Sequence, residues 1–129
     1  MMPPSPKKPI SPERLRAERA GRRAENLAAL FLQLQLYRIV ERRLKTPVGE
    51  IDLIVERFGV TAFVEVKARG RPADEGEALL KVNQQRIVRA AQYYLSRNPA
   101  LAATPLRFDV IFLAPRAWPR HVKGAFDAV

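Results

Sequence analysis

Two alternating segments joined by a short connection restrict most strongly what this chain can fold into. Residues 50–56 and 61–67 each alternate apolar and polar side chains, and residues 57–60 separate them. Alternation with a period of two is typical of half-buried β-strands, and a four-residue connection suits an antiparallel hairpin. The sequence therefore predicts a β-hairpin near the middle of the chain.

The register of this hairpin decides which side chains share a face. If Glu56 pairs with Thr61, Asp52 lies opposite Glu65, and both project on the same face as Lys67. The opposite face is apolar, with Ile51, Leu53, Val55, Ala62, Val64 and Val66. Opposed Cβ atoms lie roughly 4.5–5.5 Å apart, so two opposed carboxylates need positive charge between them. That charge is either Lys67, within a solvated charge cluster, or a divalent cation such as Mg²⁺ or Mn²⁺.

The rest of the chain predicts helices on either side of this hairpin and further strands. Residues 1–11, rich in proline and lysine, read as a flexible basic arm, and residues 12–129 as a single domain. The expected elements are helices over 12–36 and 76–96, strands over 37–44 and 106–113, and a short edge strand at 121–122. The predicted fold class is α/β, a mixed sheet flanked by helices in the order α-β-β-β-α-β with one more short strand.

Composition bounds the function. The chain has 129 residues, 23 Lys and Arg against 13 Asp and Glu, and a net charge of +10. Such an excess suits a polyanion such as nucleic acid, although a solubilising basic surface has the same composition. The absence of cysteine excludes a disulfide scaffold, a Cys-based zinc site and a thiol nucleophile. Because the longest apolar run, residues 27–32, is far shorter than the ~20 residues of a membrane span, we expect a soluble cytoplasmic protein.

Several sequence blocks resemble those of the YraN-type family, small bacterial proteins predicted to be endonucleases and distantly similar to archaeal Holliday-junction resolvases. The blocks are Gly21-x-x-x-Glu25-x-x-Ala28-x-x-x-Leu32, Gly49-Glu50-Ile51-Asp52-Leu53-Ile54, Phe63-Val64-Glu65-Val66-Lys67-x-Arg69, Lys81 and Arg107-Phe108-Asp109-Val110. The resemblance implies a restriction-endonuclease-like fold and a metal-dependent DNA endonuclease acting on branched or otherwise structured DNA. It also suggests a homodimer.

The resemblance also implies roles for particular residues. Asp52, Glu65 and the backbone carbonyl of Val66 bind Mg²⁺ or Mn²⁺, and Lys67 is the catalytic lysine. Glu25 matches an acidic residue on the first helix that joins or orients the metal ligands, whereas the sequence alone also fits a surface position.

Five polar residues are candidates for contact with nucleic acid: Arg69, Arg71, Lys81, Gln84 and Gln85. By sequence alone the two glutamines also fit a solvent-facing helix surface. We expect Asp109 to pair with an arginine in a structural role, and His121 to be structural or exposed.

Two other functions remain open at this point. The first is a non-catalytic nucleic-acid-binding module that keeps the nuclease fold without turnover. The second is a basic scaffold for an acidic protein partner.

Overall fold

Five strands form one open mixed sheet with helices on both faces in the computed structural model of the chain. The elements are α1 (Pro12–Leu34), β1 (Arg38–Thr46), β2 (Gly49–Arg57), β3 (Val60–Ala68), α2 (Gln84–Ser96), α3 (Pro99–Ala102), β4 (Leu106–Leu113) and β5 (Arg120–Phe126). The strands lie side by side in chain order, β3 and β4 pair in parallel, and the other neighbours pair antiparallel. The predicted mixed α/β fold is confirmed.

The structure describes residues 9–68 and 83–128. Most of the predicted basic arm lies outside the described residues, as do Arg69, Arg71 and Lys81. None of the helices in the described ranges is long and apolar enough to cross a membrane.

Both long helices begin at a polar cap. The Ser11 hydroxyl accepts a hydrogen bond from the Arg14 amide at 3.2 Å, which starts α1 at the predicted proline. The predicted start of α2 at residue 76 is wrong for the described helix, which begins at Gln84. The side chain of Asn83 accepts from the Arg86 amide at 3.1 Å and has non-helical backbone angles, so a helix cannot run through it. The end at Ser96 is confirmed.

The central hairpin has the predicted register and a shorter turn. Glu56 pairs with Thr61, as predicted, and the ladder continues to Arg57 and Val60. Phe58 and Gly59 make the turn with φ angles of 51° and 79°, which match the primed two-residue turns of antiparallel hairpins. The connection is therefore two residues long rather than four, because the positive φ at both positions follows the twist of the strands.

Each face of the sheet buries apolar side chains under one helix. On one face, Ala28, Ala29 and Leu32 of α1 cover Leu53, Val55, Ala62, Val64 and Ile111. On the other, Ile87, Ala90, Ala91 and Tyr94 of α2 cover Ile54, Phe63, Phe108, Val110, Phe112 and Phe126. Two covered faces explain why the interiors of the three central strands, β2, β3 and β4, are largely buried.

Ile51 lies on the face opposite to the one predicted. It packs in the cluster under α2, together with its β1 partner Leu44. Between Arg42 and Leu44, Arg43 has a left-handed φ of 52°, so regular alternation is interrupted beside this part of β2.

The last strand is longer than the predicted edge strand at 121–122 and is tied to β4 by a buried carboxylate. Asp109 is fully buried and accepts hydrogen bonds from the Arg107 guanidinium at 2.8 and 2.9 Å. It also contacts His121 Nε2 at 2.7 Å and accepts from the Gly124 amide at 3.0 Å. The expected structural pairing of Asp109 with an arginine is confirmed.

Candidate active site

Asp52 is held against β3 where the regular pairing of the hairpin ends. The described β2–β3 pairs run from Arg57–Val60 to Leu53–Val64, one residue short of Asp52. At this point the Asp52 carboxylate accepts a hydrogen bond from the Val66 amide at 2.8 Å. A side chain therefore satisfies a β3 amide, which fixes the Asp52 carboxylate beside the neighbouring Glu65.

The sequence-predicted trio lines one groove between the sheet and α2. Asp52, Glu65 and Lys67 lie in it together, and its volume is about 370 Å³. Among the described residues, Glu50 of β2, the cap residue Asn83, and Arg86 and Ile87 of α2 also line the groove. Lys67 Nζ lies 3.4 Å from Glu65 Oε1, because residues two apart on a strand share a face.

Partial burial favours the protonated form of both carboxyl groups in this pair. Desolvation, with the charge of Asp52 as the next cause, raises the pKa of Glu65 to about 7, although Lys67 favours the ionised form. Desolvation also raises the pKa of Asp52, against the hydrogen bond from the Val66 amide. The pKa of each carboxyl group is therefore raised mainly because the pair is partly removed from water.

The donor set fits a hard divalent cation that keeps part of its water shell. Within residues 9–68 and 83–128, no group of three or more His, Cys, Asp or Glu side chains could hold a metal ion. Mg²⁺ often binds through one or two carboxylates plus waters and substrate phosphate, which is the type of donor that Asp52 and Glu65 supply. A cation there would favour the ionised form of both carboxyl groups. The Val66 amide serves Asp52, and the role of the Val66 carbonyl stays a prediction.

Glu25 lies near the trio and does not line the groove. Its carboxylate is 2.8 Å from Arg43 Nε, an ion pair between α1 and β1. Burial and then the negative charge of Asp52 raise the pKa of Glu25, which places the two carboxylates within electrostatic range. Glu25 is thus brought close to the site from the α1 side, while the groove opens towards α2.

Gln84 and Gln85 lie apart from the carboxylates. Both are exposed on the first turn of α2 and line a separate groove of about 380 Å³ together with Arg89 and Gln92. Their contact with nucleic acid stays a prediction.

Sequence reasoning missed Arg86 as a member of the site. The feature that could have identified Arg86 is its position in the first turn of α2, directly before Ile87, the first buried residue of that helix. Because the helix was expected to start at residue 76, this position did not stand out.

The fold and the groove define a mixed α/β protein with a partly buried carboxylate pair and a lysine at the edge of its hairpin. The chain belongs to the uncharacterised protein family UPF0102, which it matches over residues 24–113. That range contains Asp52, Glu65, Lys67 and Arg86.

Similar proteins are found across several bacteria. A UPF0102 protein of Parvibaculum lavamentivorans is 54% identical over 112 residues, which cover 87% of this chain and 84% of the relative. A UPF0102 protein of Rhodopseudomonas palustris (strain BisB5) is 49% identical over 124 residues, covering 96% and 95%. Another, of Bradyrhizobium sp. (strain ORS 278), is 50% identical over 125 residues, covering 97% and 89%.

Proposed function

We propose that the protein is a metal-dependent endonuclease that hydrolyses phosphodiesters in DNA, including branched or otherwise structured DNA. One observation carries the proposal: two partly buried carboxylates, with an ammonium 3.4 Å from one of them, line an open groove. Partly buried carboxyl groups with raised pKa values in a groove are typical of functional sites.

Each residue of the trio has a distinct part in this proposal. Asp52 and Glu65 would hold Mg²⁺ or Mn²⁺, and the ion would polarise the scissile phosphate and activate water there. Lys67, whose side chain is 25% exposed, presents an ammonium to the groove and stabilises negative charge that develops on a phosphate oxygen. The amide of Val66 keeps the Asp52 carboxylate in place through its 2.8 Å hydrogen bond.

The charge of the whole chain supports a polyanionic substrate. A net charge of +10 strengthens contact with phosphate backbones of any sequence. Such contacts position a substrate without reading its bases, so shape rather than sequence is the expected basis of selection.

Cleavage of plasmid, flap and four-way-junction DNA tests the proposal. The wild-type protein is compared with Glu65→Gln and Lys67→Met in Mg²⁺, in Mn²⁺ and in EDTA. We expect wild-type cleavage that depends on the metal, and a loss on the order of 10²–10³-fold in each variant. Glu56→Gln and Lys123→Met are matched controls, since Glu56 pairs with Arg38 at the surface and Lys123 is exposed on β5.

The same experiment separates the non-catalytic alternative. If every protein binds DNA and none of them cuts any substrate in either metal, the endonuclease proposal is wrong. A nucleic-acid-binding module with the nuclease fold is then the better description.

A further inference from the structure

Arg86 is a cation of the groove besides Lys67, and its backbone position is fixed. The Asn83 side chain accepts a hydrogen bond from the Arg86 amide at 3.1 Å, and the next residue, Ile87, is buried against the sheet. Arg86 itself is exposed and lines the groove together with Asp52, Glu65 and Lys67. The start of α2 is therefore anchored on both sides of this arginine.

Gly49 leaves the space that the Arg86 stem occupies. A Cβ atom at Gly49 would lie 2.9 Å from Arg86 Cγ and 3.1 Å from the Arg86 carbonyl oxygen. Gly49 also has a φ of 155°, which residues with side chains rarely adopt. The first residue of β2 thus lets the arginine lie directly against the strand that carries Asp52.

The charge of Arg86 has no protein partner among the described residues. Lys67 pairs with Glu65, whereas no ion pair or side-chain hydrogen bond of the Arg86 guanidinium is found within residues 9–68 and 83–128. A guanidinium offers a planar fork of donors that matches two oxygens of a phosphate group.

We propose that Arg86 is a phosphate-binding residue of this groove, which holds the non-bridging oxygens of a nucleic-acid phosphodiester beside Asp52 and Glu65, and that Gly49 admits it. The inference rests on the proposed function for the identity of the substrate. It assigns the phosphate contact to Arg86, which is not among the candidates that the sequence predicts, namely Arg69, Arg71, Lys81, Gln84 and Gln85.

The test compares Arg86→Ala and Arg86→Lys with Arg89→Ala, a control one turn further along α2 that lines the neighbouring groove. Affinity for a short DNA duplex is measured in EDTA, and cleavage in Mn²⁺ is measured with and without added guanidinium chloride. We expect Arg86→Ala to weaken binding about tenfold and cleavage on the order of 10²–10³-fold, with partial recovery in Arg86→Lys. Added guanidinium restores Arg86→Ala and leaves Arg89→Ala unchanged.

Two results would overturn the assignment of Arg86, and both can be distinguished from failure of the endonuclease proposal. If wild type cuts DNA and Arg86→Ala matches Arg89→Ala in both assays, Arg86 does not bind the phosphate, although the endonuclease proposal stands. If wild type cuts nothing, the endonuclease proposal fails, and equal affinities of the two alanine variants in EDTA overturn the Arg86 assignment as well.

Gly49→Ala gives an independent check through non-additivity. If Gly49→Ala acts on the site mainly by displacing Arg86, it should weaken DNA binding when Arg86 is present. The same substitution should then weaken DNA binding no further in the Arg86→Ala background. Full additivity of the two effects, in variants with unchanged circular dichroism, contradicts a role for Gly49 in admitting Arg86.

Discussion

At the scale of single residues, the Glu65 carboxyl should make the stability of the metal-free protein depend on pH. The folded-state pKa of about 7 exceeds the ordinary value of 4.5, so the folded state binds more protons than the unfolded state between these values. The stability associated with this proton is fully present below pH 4.5 and is lost as the pH rises through 7.

We predict that Glu65→Gln removes most of this pH dependence. In EDTA, the free energy of unfolding of the wild type should fall by about 2–3 kcal/mol between pH 4.5 and 8, because the folded-state pKa of Glu65 is raised from 4.5 to about 7. Glu65→Gln should show a flatter profile, measured by urea denaturation at each pH, and Glu56→Gln should follow the wild type. Parallel profiles for all three proteins would contradict the raised pKa.

The Asp109 carboxylate should act in the opposite direction. Although burial opposes ionisation, hydrogen bonds from His121 and Arg107 together with the Gly124 amide hold the pKa of Asp109 below its usual 3.8. The stability it contributes is present above pH 3.8 and is lost as the pH falls through the lower folded-state value.

Asp109→Asn should therefore destabilise the fold without touching the groove. Loss of the charge leaves the Arg107 guanidinium without its carboxylate, which we expect to cost about 3–5 kcal/mol at pH 7. Chemical denaturation measures this, with the exposed Asp127→Asn as control. A change below about 0.5 kcal/mol would show that the network contributes little.

The three site residues on strands could be predicted from the sequence, whereas Arg86 on α2 could not. Asp52, Glu65 and Lys67 follow from period-two alternation and one register, which are local properties. Arg86 depends on where α2 begins and on the absence of a side chain at Gly49, far away in sequence. Tertiary contacts of this kind leave no periodic signal.

At the scale of elements, the first turns of α1 are the most unusual segment. From Pro12 to Arg23 every residue except the half-buried Glu18 is exposed, so this part of the helix packs on almost nothing in the described chain. Arg16, Arg19 and Arg23 are spaced by three and four residues and so share a face. A basic helical face without packing partners is suited to a phosphate backbone.

We predict that replacing Arg16, Arg19 and Arg23 together by glutamine weakens DNA binding and lowers its salt dependence. The slope of log affinity against log salt should decrease by roughly 0.9 for each phosphate that these arginines neutralise in the wild type. The matched control replaces Arg42, Arg97 and Arg116, three exposed arginines elsewhere, and removes the same charge. Equal slopes in the two triple variants would assign the effect to net charge alone.

Element boundaries were predicted well where a local signal fixes them. Ser11 and Pro12 mark the start of α1, and the Thr46–Pro47 break separates β1 from β2. The extent of β5 could not be predicted, because its sequence is only weakly apolar. The strand is held to β4 by the contacts of His121 and Gly124 with Asp109. Those bonds exist only once β4 is in the sheet.

At the scale of the whole molecule, an exposed apolar surface supports the expected homodimer. Leu27, Leu30, Phe31 and Leu34 of α1 lie beside Trp118, and Leu34 and Trp118 are 76% and 89% exposed. Apolar side chains grouped in this way commonly mark interaction sites, and a two-fold dimer pairs one such surface with its own copy.

We expect wild type to sediment as a dimer and Leu30→Glu to shift it to the monomer, because a buried carboxylate at the interface is unfavourable. Analytical ultracentrifugation measures the distribution, with Leu15→Glu, on the unpacked part of α1, as control. A wild-type protein that is monomeric at every concentration contradicts the dimer.

Strand count and the α/β class followed from sequence patterns, whereas the arrangement of strands did not. Alternation predicts β2 and β3. It does not indicate whether β4 pairs in parallel with β3, as observed, or at the free edge of β1. That choice is made by the connection through α2, whose buried face fits the sheet only in the assembled fold.

A crystal structure of the protein soaked in Mn²⁺, examined for anomalous density at the carboxylate pair, tests directly whether Asp52 and Glu65 bind a metal ion. We predict one peak in contact with both carboxylates, absent from Glu65→Gln crystals treated in the same way. The absence of any peak between the two carboxylates, in a protein that is saturated with Mn²⁺, would contradict metal binding at this site.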